Sequence, residues 1–348
     1  MSTLTRRGFG RLAAGAAVVP LAAPTILRAQ EGDLVRMCWT NTVTVSAQAQ
    51  HALLRTDIPA RNGLRIQMTQ MNGSPAINEA LASNAADIGS VSDFSAVTMM
   101  AVGAPITTVA LQSRFRSAIL ATTKSGIKTM ADLKGKQVYG LFGITAFQNA
   151  QDAVRAAGLT PGRDVTFVNI GTAELTDAVR TQRIEAFFHW DPWVAFFEDA
   201  GHATVLSHNT TPAMVLSARS DFVQKKPDVL KRFLRAHSEA VFYASQNHKL
   251  TNGWFRSLDP AKGIPETVIE TASAFDPVWN AKSFSEVRAA LSPAEIANMQ
   301  NLGQWGLELK LLPRLPQVAK SVNTEIAGAV DAEAASKPFD PASVKILS

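Results

Sequence analysis

What most limits the fold of this chain is a rhythm that begins at residue 34 and is played twice: apolar run, helical stretch, apolar run, with no low-complexity tether between the two passages. In the first passage LVRMCW reads as a strand, SAQAQHALLRTDIPARNG as a helix closed by Asn62 and Gly63, and LRIQMTQM as a strand. Ser74 and Pro75 then supply an N-cap and a first-turn proline for the helix AINEALASNA, which leads into the strand ADIGSVS. Strands separated by a helix at this spacing run parallel, because only a crossover returns the chain in the same direction along a sheet. After the extended stretch ITTVALQSRFRSAILATT the rhythm restarts. MADLKG is a short helix, QVYGLF a strand, GITAFQNAQDAVRAAG a helix, DVTFVNI a strand, TAELTDAVRTQ a helix, EAFFHW a strand and DPWVAFFEDA a helix. MVLSARSDF returns as a strand, and nearly everything after Lys225 is helical.

Two α/β units joined by extended strands, at about residues 112 to 120 and 207 to 220, describe two lobes on a two-strand hinge. The expected division is 30–115 plus 215–348 for the first lobe, with a helical tail, and 116–214 for the second. Such a hinge permits closure on a ligand. The length supports two cores, since one hydrophobic core seldom organises more than roughly 250–300 residues.

The first 29 residues read as an export signal. Arg6 and Arg7 precede Phe9 and an Ala-rich apolar run that is shorter than the roughly 20 residues needed to span a bilayer. Thr5-Arg6-Arg7-Gly8-Phe9 resembles the twin-arginine (Tat) pattern, with cleavage expected after Ala29. Removing that segment removes four arginines and no acids, so the formal charge falls from +5 to +1. A nearly neutral chain offers no electrostatic case for nucleic acid. Cys38 is the single cysteine, so no internal disulfide can form, and in a strand it is expected to be a buried, inert thiol.

INEALASNAADIGSVSD, MADLKGKQVYGLFGITAFQNAQDAVRAAGLTPGRDVTFVNIG, DAVRTQRIEAFFHWDPWVA and SDFVQKKPDVLKRFLRAHSEAVFYA follow one another in the order found in periplasmic substrate-binding proteins of ABC importers. The chain resembles the aliphatic sulfonate, taurine and nitrate binders, with the pyrimidine-precursor binders as relatives. The resemblance implies an α/β type II periplasmic-binding-protein fold and a small, anionic ligand held between the lobes at the carboxyl ends of the strands. It also implies delivery to a membrane permease by a periplasmic monomer without cofactor. Open parallel sheets place ligands at that edge for their own reasons.

Candidate contacts therefore come from the turns that end the strands. His189-Trp190-Asp191-Pro192-Trp193 marks a strand ending and a helix beginning: Phe187 and His189 point to one face, Phe188 and Trp190 to the other. Trp190 is expected to meet ligand. Asp191, followed by Pro192, either contacts ligand or caps the helix. Gly143, Ile144 and Thr145 occupy a strand-to-helix turn whose free N–H groups favour an anion. Trp39, Thr40 and Asn41 end one first-lobe strand, and Ser92 and Asp93 another, with Asp93 again either a ligand contact or a cap. Arg114 and Arg116 read as solvated surface near the hinge. His189, His202 and His208 have no metal-ligand spacing, so no metal site is expected. No nucleophile, base and orienting group stand at recognisable spacing, which favours a receptor over an enzyme. The alternatives are an enzyme of pyrimidine, thiamine or menaquinone precursor metabolism on the same scaffold, or a ligand-sensing subunit.

Overall fold

The computed structural model describes residues 32–347, so the expected export segment lies outside the described residues. Ten strands fall in chain order as β1 (Asp33–Trp39), β2 (Leu64–Gln70), β3 (Ile88–Ser92), β4 (Ile106–Arg114), β5 (Ser117–Thr122), β6 (Gln137–Gly140), β7 (Thr166–Asn169), β8 (Ala186–Trp190), β9 (Ala203–Asn209) and β10 (Ala213–Arg219). They form two five-stranded sheets, ordered β2-β1-β3-β10-β4 and β7-β6-β8-β5-β9. In the first, β1 lies parallel to β2 and β3, and β10 runs antiparallel between β3 and β4. In the second, β6 lies parallel to β7 and β8, and β5 runs antiparallel between β8 and β9. Each sheet is thus three parallel strands plus an antiparallel pair. The chain passes between sheets twice: β4 leads through Phe115 and Arg116 into β5, and β9 leads through residues 210–212 into β10.

Helices fill the faces where the rhythm places them, with two local departures. The stretch 46–63 is two helices, Ser46–Arg55 and Ile58–Arg61, because Pro59 has no N–H to continue the ladder and Thr56 turns extended before it. Ser74 is already inside its helix, which starts from Gly73 at φ 90°. Its hydroxyl instead accepts the backbone N–H of Ser92 at 3.0 Å, fastening the end of β3.

The first core lies mainly between the first sheet and the helix Pro227–Gln246, whose Leu230, Phe233, Leu234 and Ala240 are fully buried. Full burial of side chains such as Leu230 and Phe233 stabilises by about 1.5–3 kcal/mol each. Alternation along β8 falls as the sequence indicates. Phe187 packs into one cluster with Leu120, Val179 and Phe197, while Phe188 and the half-buried Trp190 pack into another. Gly140 at the end of β6 permits this second packing, since a Cβ there would lie 2.4 Å from the Phe188 ring. Cys38 is buried, as expected of an inert thiol. Among the described residues, no helix is long and apolar enough to cross a membrane.

Candidate ligand cleft

The parallel strands β3 and β8 each end in a turn that opens a helix, and each turn carries an aspartate. Ser92 caps the helix Asp93–Val102 by accepting from Ser95 N at 3.3 Å. Asp93, 1% exposed, is thereby free for other partners. Its Oδ1 accepts from Phe94 N at 2.8 Å and from the hydroxyl of Thr145, and its Oδ2 accepts from Ala213 N at 3.1 Å. Thr145 is the first residue of the helix Thr145–Ala156, which follows β6 of the second sheet. The carboxylate therefore joins helix starts from both sheets to the first residue of β10. Burial pushes its carboxyl up to about 6, against the pull of the Thr145 hydroxyl and the backbone donors.

Asp191 meets a different environment. It is fully buried, and it accepts from Arg116 Nε at 2.9 Å, Arg116 Nη2 at 3.1 Å and Ala195 N at 3.0 Å. The helix it was expected to cap runs Trp193–Asp199 from Pro192, so Asp191 stands just outside and reaches in to Ala195. Arg116, expected on solvated surface, is 5% exposed. It also pairs with Glu198 at 2.9 Å and lies 4.1 Å over the ring of Phe275. The expectation fails because the passage from β4 to β5 runs through the interior and not over it. Its oxygens are held by Arg116 and by Ala195 N, two residues into the helix, which is close to the capping role that the sequence offered beside a ligand contact.

The turn after β1 carries the other first-lobe candidates. Trp39 is 2% exposed and meets the His51 ring edge-on at 5.1 Å inside the first core. Asn41 donates to the carbonyls of Phe255 and Leu258 at 3.0 and 3.2 Å, and its Oδ1 faces His51 Nε2 at 3.1 Å. Thr40 is buried, its hydroxyl 3.0 Å from that of Thr42. These side chains pack beneath the C-terminal helices. Val43 clusters with Phe115 and Met214, and the half-buried Trp190 at the end of β8 packs against that cluster. Val45 carries the backbone round this turn at φ 42°, ψ −58°, a conformation that a β-branched side chain disfavours.

In the second sheet the matching turn after β6 places Gly143 at φ 72°, with open space where a Cβ would stand. Ile144 precedes the helix Thr145–Ala156 and gives its first turn no side-chain cap. Gly143 and Ile144 are half-buried, as is Ser92. The structure thus brings Asp93 to Thr145, packs Trp190 against the cluster of Val43, Phe115 and Met214, and buries Trp39, Asn41 and Asp191.

A tryptophan that carries no motif adds a further link. Trp305, on the helix Pro293–Glu308, donates Nε1–H to Gln151 Oε1 at 2.8 Å and meets Phe94 and Phe147 edge-on at 5.2 and 5.8 Å. Only the helical pattern near residue 300 could have hinted at it. Beside Asp93 the free space is about 10 Å³, bounded by Leu111, Thr211, Ala213 and Glu295 among others. A second cavity of about 230 Å³ lies between the helix Thr145–Ala156 and strands β5 and β9, and none of the expected contacts lines it. Among the described residues, no group of three or more His, Cys, Asp and Glu side chains is gathered for a metal.

Known proteins resemble this chain in sequence and in fold. Over 247 residues the chain is 29% identical to an Escherichia coli K12 protein named for binding aliphatic sulfonates, covering 69% of this chain and 75% of that one. Over 184 residues it is 25% identical to the taurine-binding periplasmic protein of the same organism, covering 51% and 57%. The alkanesulfonate-binding protein SsuA of Xanthomonas axonopodis pv. citri, solved with MOPS, superposes with a TM-score of 0.68 at 21% identity over 84% of this chain and 99% of that one. The periplasmic aliphatic sulphonate binding protein SsuA of Escherichia coli gives 0.71 at 20% identity, over 84% and 92%. The two-sheet architecture is the type II periplasmic-binding-protein fold. Matched over residues 60–249, the chain belongs to the NMT1/THI5-like family.

Proposed function

We propose that this protein is an exported receptor that captures a small organic anion of sulfonate, taurine or nitrate type between its two halves and presents it to the permease of an ABC importer. No bond is made or broken. The halves are 30–115 plus 215–348 and 116–214, turning about the two passages between the sheets, and the protein works as a periplasmic monomer after export by the twin-arginine route. Ser92, Gly143, Ile144 and Trp190 are the proposed side-chain and turn contacts, with the Thr145 hydroxyl held by Asp93 and its backbone N–H left to the anion.

One observation carries the reading: turns from both sheets converge, through Asp93 with Thr145 and through Trp190 packed against the cluster of Val43, Phe115 and Met214. The first turn of the helix Thr145–Ala156 has no side-chain cap, and uncapped N–H groups at the positive end of a helix attract an anion. Gly143 lets a guest approach the backbone there. The names of the curated relatives point to the same ligand class.

The test is a thermal-shift panel of alkanesulfonates, taurine, nitrate, aromatic carboxylates and pyrimidines, with tryptophan emission recorded in parallel. A ligand at 100 times its Kd stabilises the folded state by about 2.7 kcal/mol, so a true ligand is visible. A sulfonate is expected to raise Tm and to change the emission of Trp190. A panel in which no anion moves Tm would sink the proposal.

A further inference from the structure

We propose that Asp93 is a latch that holds the two halves shut through the Thr145 hydroxyl, and not a group that touches the ligand. The inference rests on the receptor reading above and names how its closed state is held.

Asp93 belongs to the helix after β3, and Thr145 to the helix after β6, so their hydrogen bond runs between elements of different sheets. The same carboxylate takes the N–H of Ala213, the residue at which the chain re-enters the first sheet after its second passage. One side chain therefore ties the two moving helix starts to the crossing about which they turn. Its two oxygens hold three donors, Phe94 N, Ala213 N and the Thr145 hydroxyl, and the residue is 1% exposed. That leaves little capacity or access for a guest. The space beside it, about 10 Å³, is about what one water needs.

Of the three donors, two are backbone groups local to the first sheet and its crossing. Only the Thr145 hydroxyl is lost when the halves separate. A hydrogen bond to a buried charged group contributes about 1.5–3 kcal/mol, so its loss should lower the closed-to-open ratio by roughly ten- to a hundredfold. Trp305 lies over the same seam, with its indole on Gln151 and its ring against Phe94 and Phe147. Asp93 itself is 1% exposed, and in such a buried setting a hydrogen bond is stronger than in water.

The test reads the distance between spin labels at Asn72→Cys and Ala173→Cys in a Cys38→Ala background. Both positions are exposed and lie just beyond the carboxyl ends of β2 and β7. Thr145→Val removes the hydroxyl while keeping the volume, and Thr145→Ser restores it. Expected is a short distance in the parent, a population shifted at least tenfold toward long distances in Thr145→Val, and recovery in Thr145→Ser. Asp93→Asn serves as the second variant, with circular dichroism confirming that each is folded. A folded Thr145→Val with the parent's distance distribution overturns the latch. Because these distances are read on protein alone, they are independent of the sulfonate panel. A silent panel with an opened Thr145→Val would remove the receptor's ligand class and keep the latch. Sulfonate binding with unchanged distances would do the reverse.

Discussion

Asp93 and Asp191 stand at equivalent places in the two sheets, each just past the last parallel strand, and each is buried to 1% or less. The chain treats them in opposite ways. Asp191 is matched with the guanidinium of Arg116, just before β5 of the same sheet, so its charge is compensated where it sits. Asp93 has only neutral donors, one of them from the helix that follows β6 of the other sheet. The difference teaches that burial of a carboxylate does not fix its role. Asp191 with Arg116 is an ion pair within one sheet and its flanking turn, whereas Asp93 is held by donors drawn from both sheets.

The comparison breaks most visibly at Arg116. Arg116→Met leaves Asp191 as an unpaired buried charge, and removing one member of such a pair costs about 3–5 kcal/mol. Urea unfolding should show a loss of that size. A loss below about 1 kcal/mol would mean that the pair contributes little to stability.

A pH series sharpens the contrast from the other side. The Asp93 carboxyl is pushed up to about 6 by burial, above the value near 3.8 that the unfolded chain has. A raised carboxyl favours folding below the unfolded value, and that contribution disappears as pH rises through about 6. Asp93→Asn lacks this titration. Its stability relative to wild type should therefore improve by about 2–3 kcal/mol between pH 4 and pH 7. A flat difference between the two proteins would show that the carboxylate is solvated.

His189 gives the next effect, in the opposite direction. Its imidazole is fully buried beside Asp191, with Nδ1 accepting from Trp190 N, and burial pushes it down to about 3. A depressed histidine stabilises above its unfolded value of 6.5, and that contribution is lost as pH falls below it. At pH 5 the loss is about 2 kcal/mol. His189→Phe should unfold less readily with acid than wild type, and equal acid sensitivity would count against a buried neutral ring.

The smallest effect concerns the turn between these regions. Gly143→Ala places a Cβ in open space but at φ 72°, where an L-residue costs about 1 kcal/mol. A Tm unchanged by this substitution would show that the turn relaxes.

Much of this was legible in the residues. The rhythm of parallel units, the alternation of Phe187, Phe188, His189 and Trp190, and the buried Cys38 follow from periods of 2 and 3.6 that any single pass along the chain reveals. The fate of the polar turn residues was not legible. Asn41 and Asp191 look like site residues because they are polar and sit at strand ends. Their partners are Phe255, Leu258 and Arg116, which lie 214, 217 and 75 residues away. The burial of Trp39 against His51 was not legible for a related reason: which face of a strand looks to the core depends on what later folds against it, here the C-terminal helices.

By itself the sequence determined the α/β class, the two passages of strand and helix, and the turns from which any site must be drawn, because local periodicity and capping chemistry act over a few residues. Tertiary structure alone decided which aspartate is paired with Arg116, which is joined to Thr145, and which tryptophan closes the seam. Those outcomes depend on desolvation and hydrogen-bond partners brought together from distant parts of the chain, and no local pattern records them.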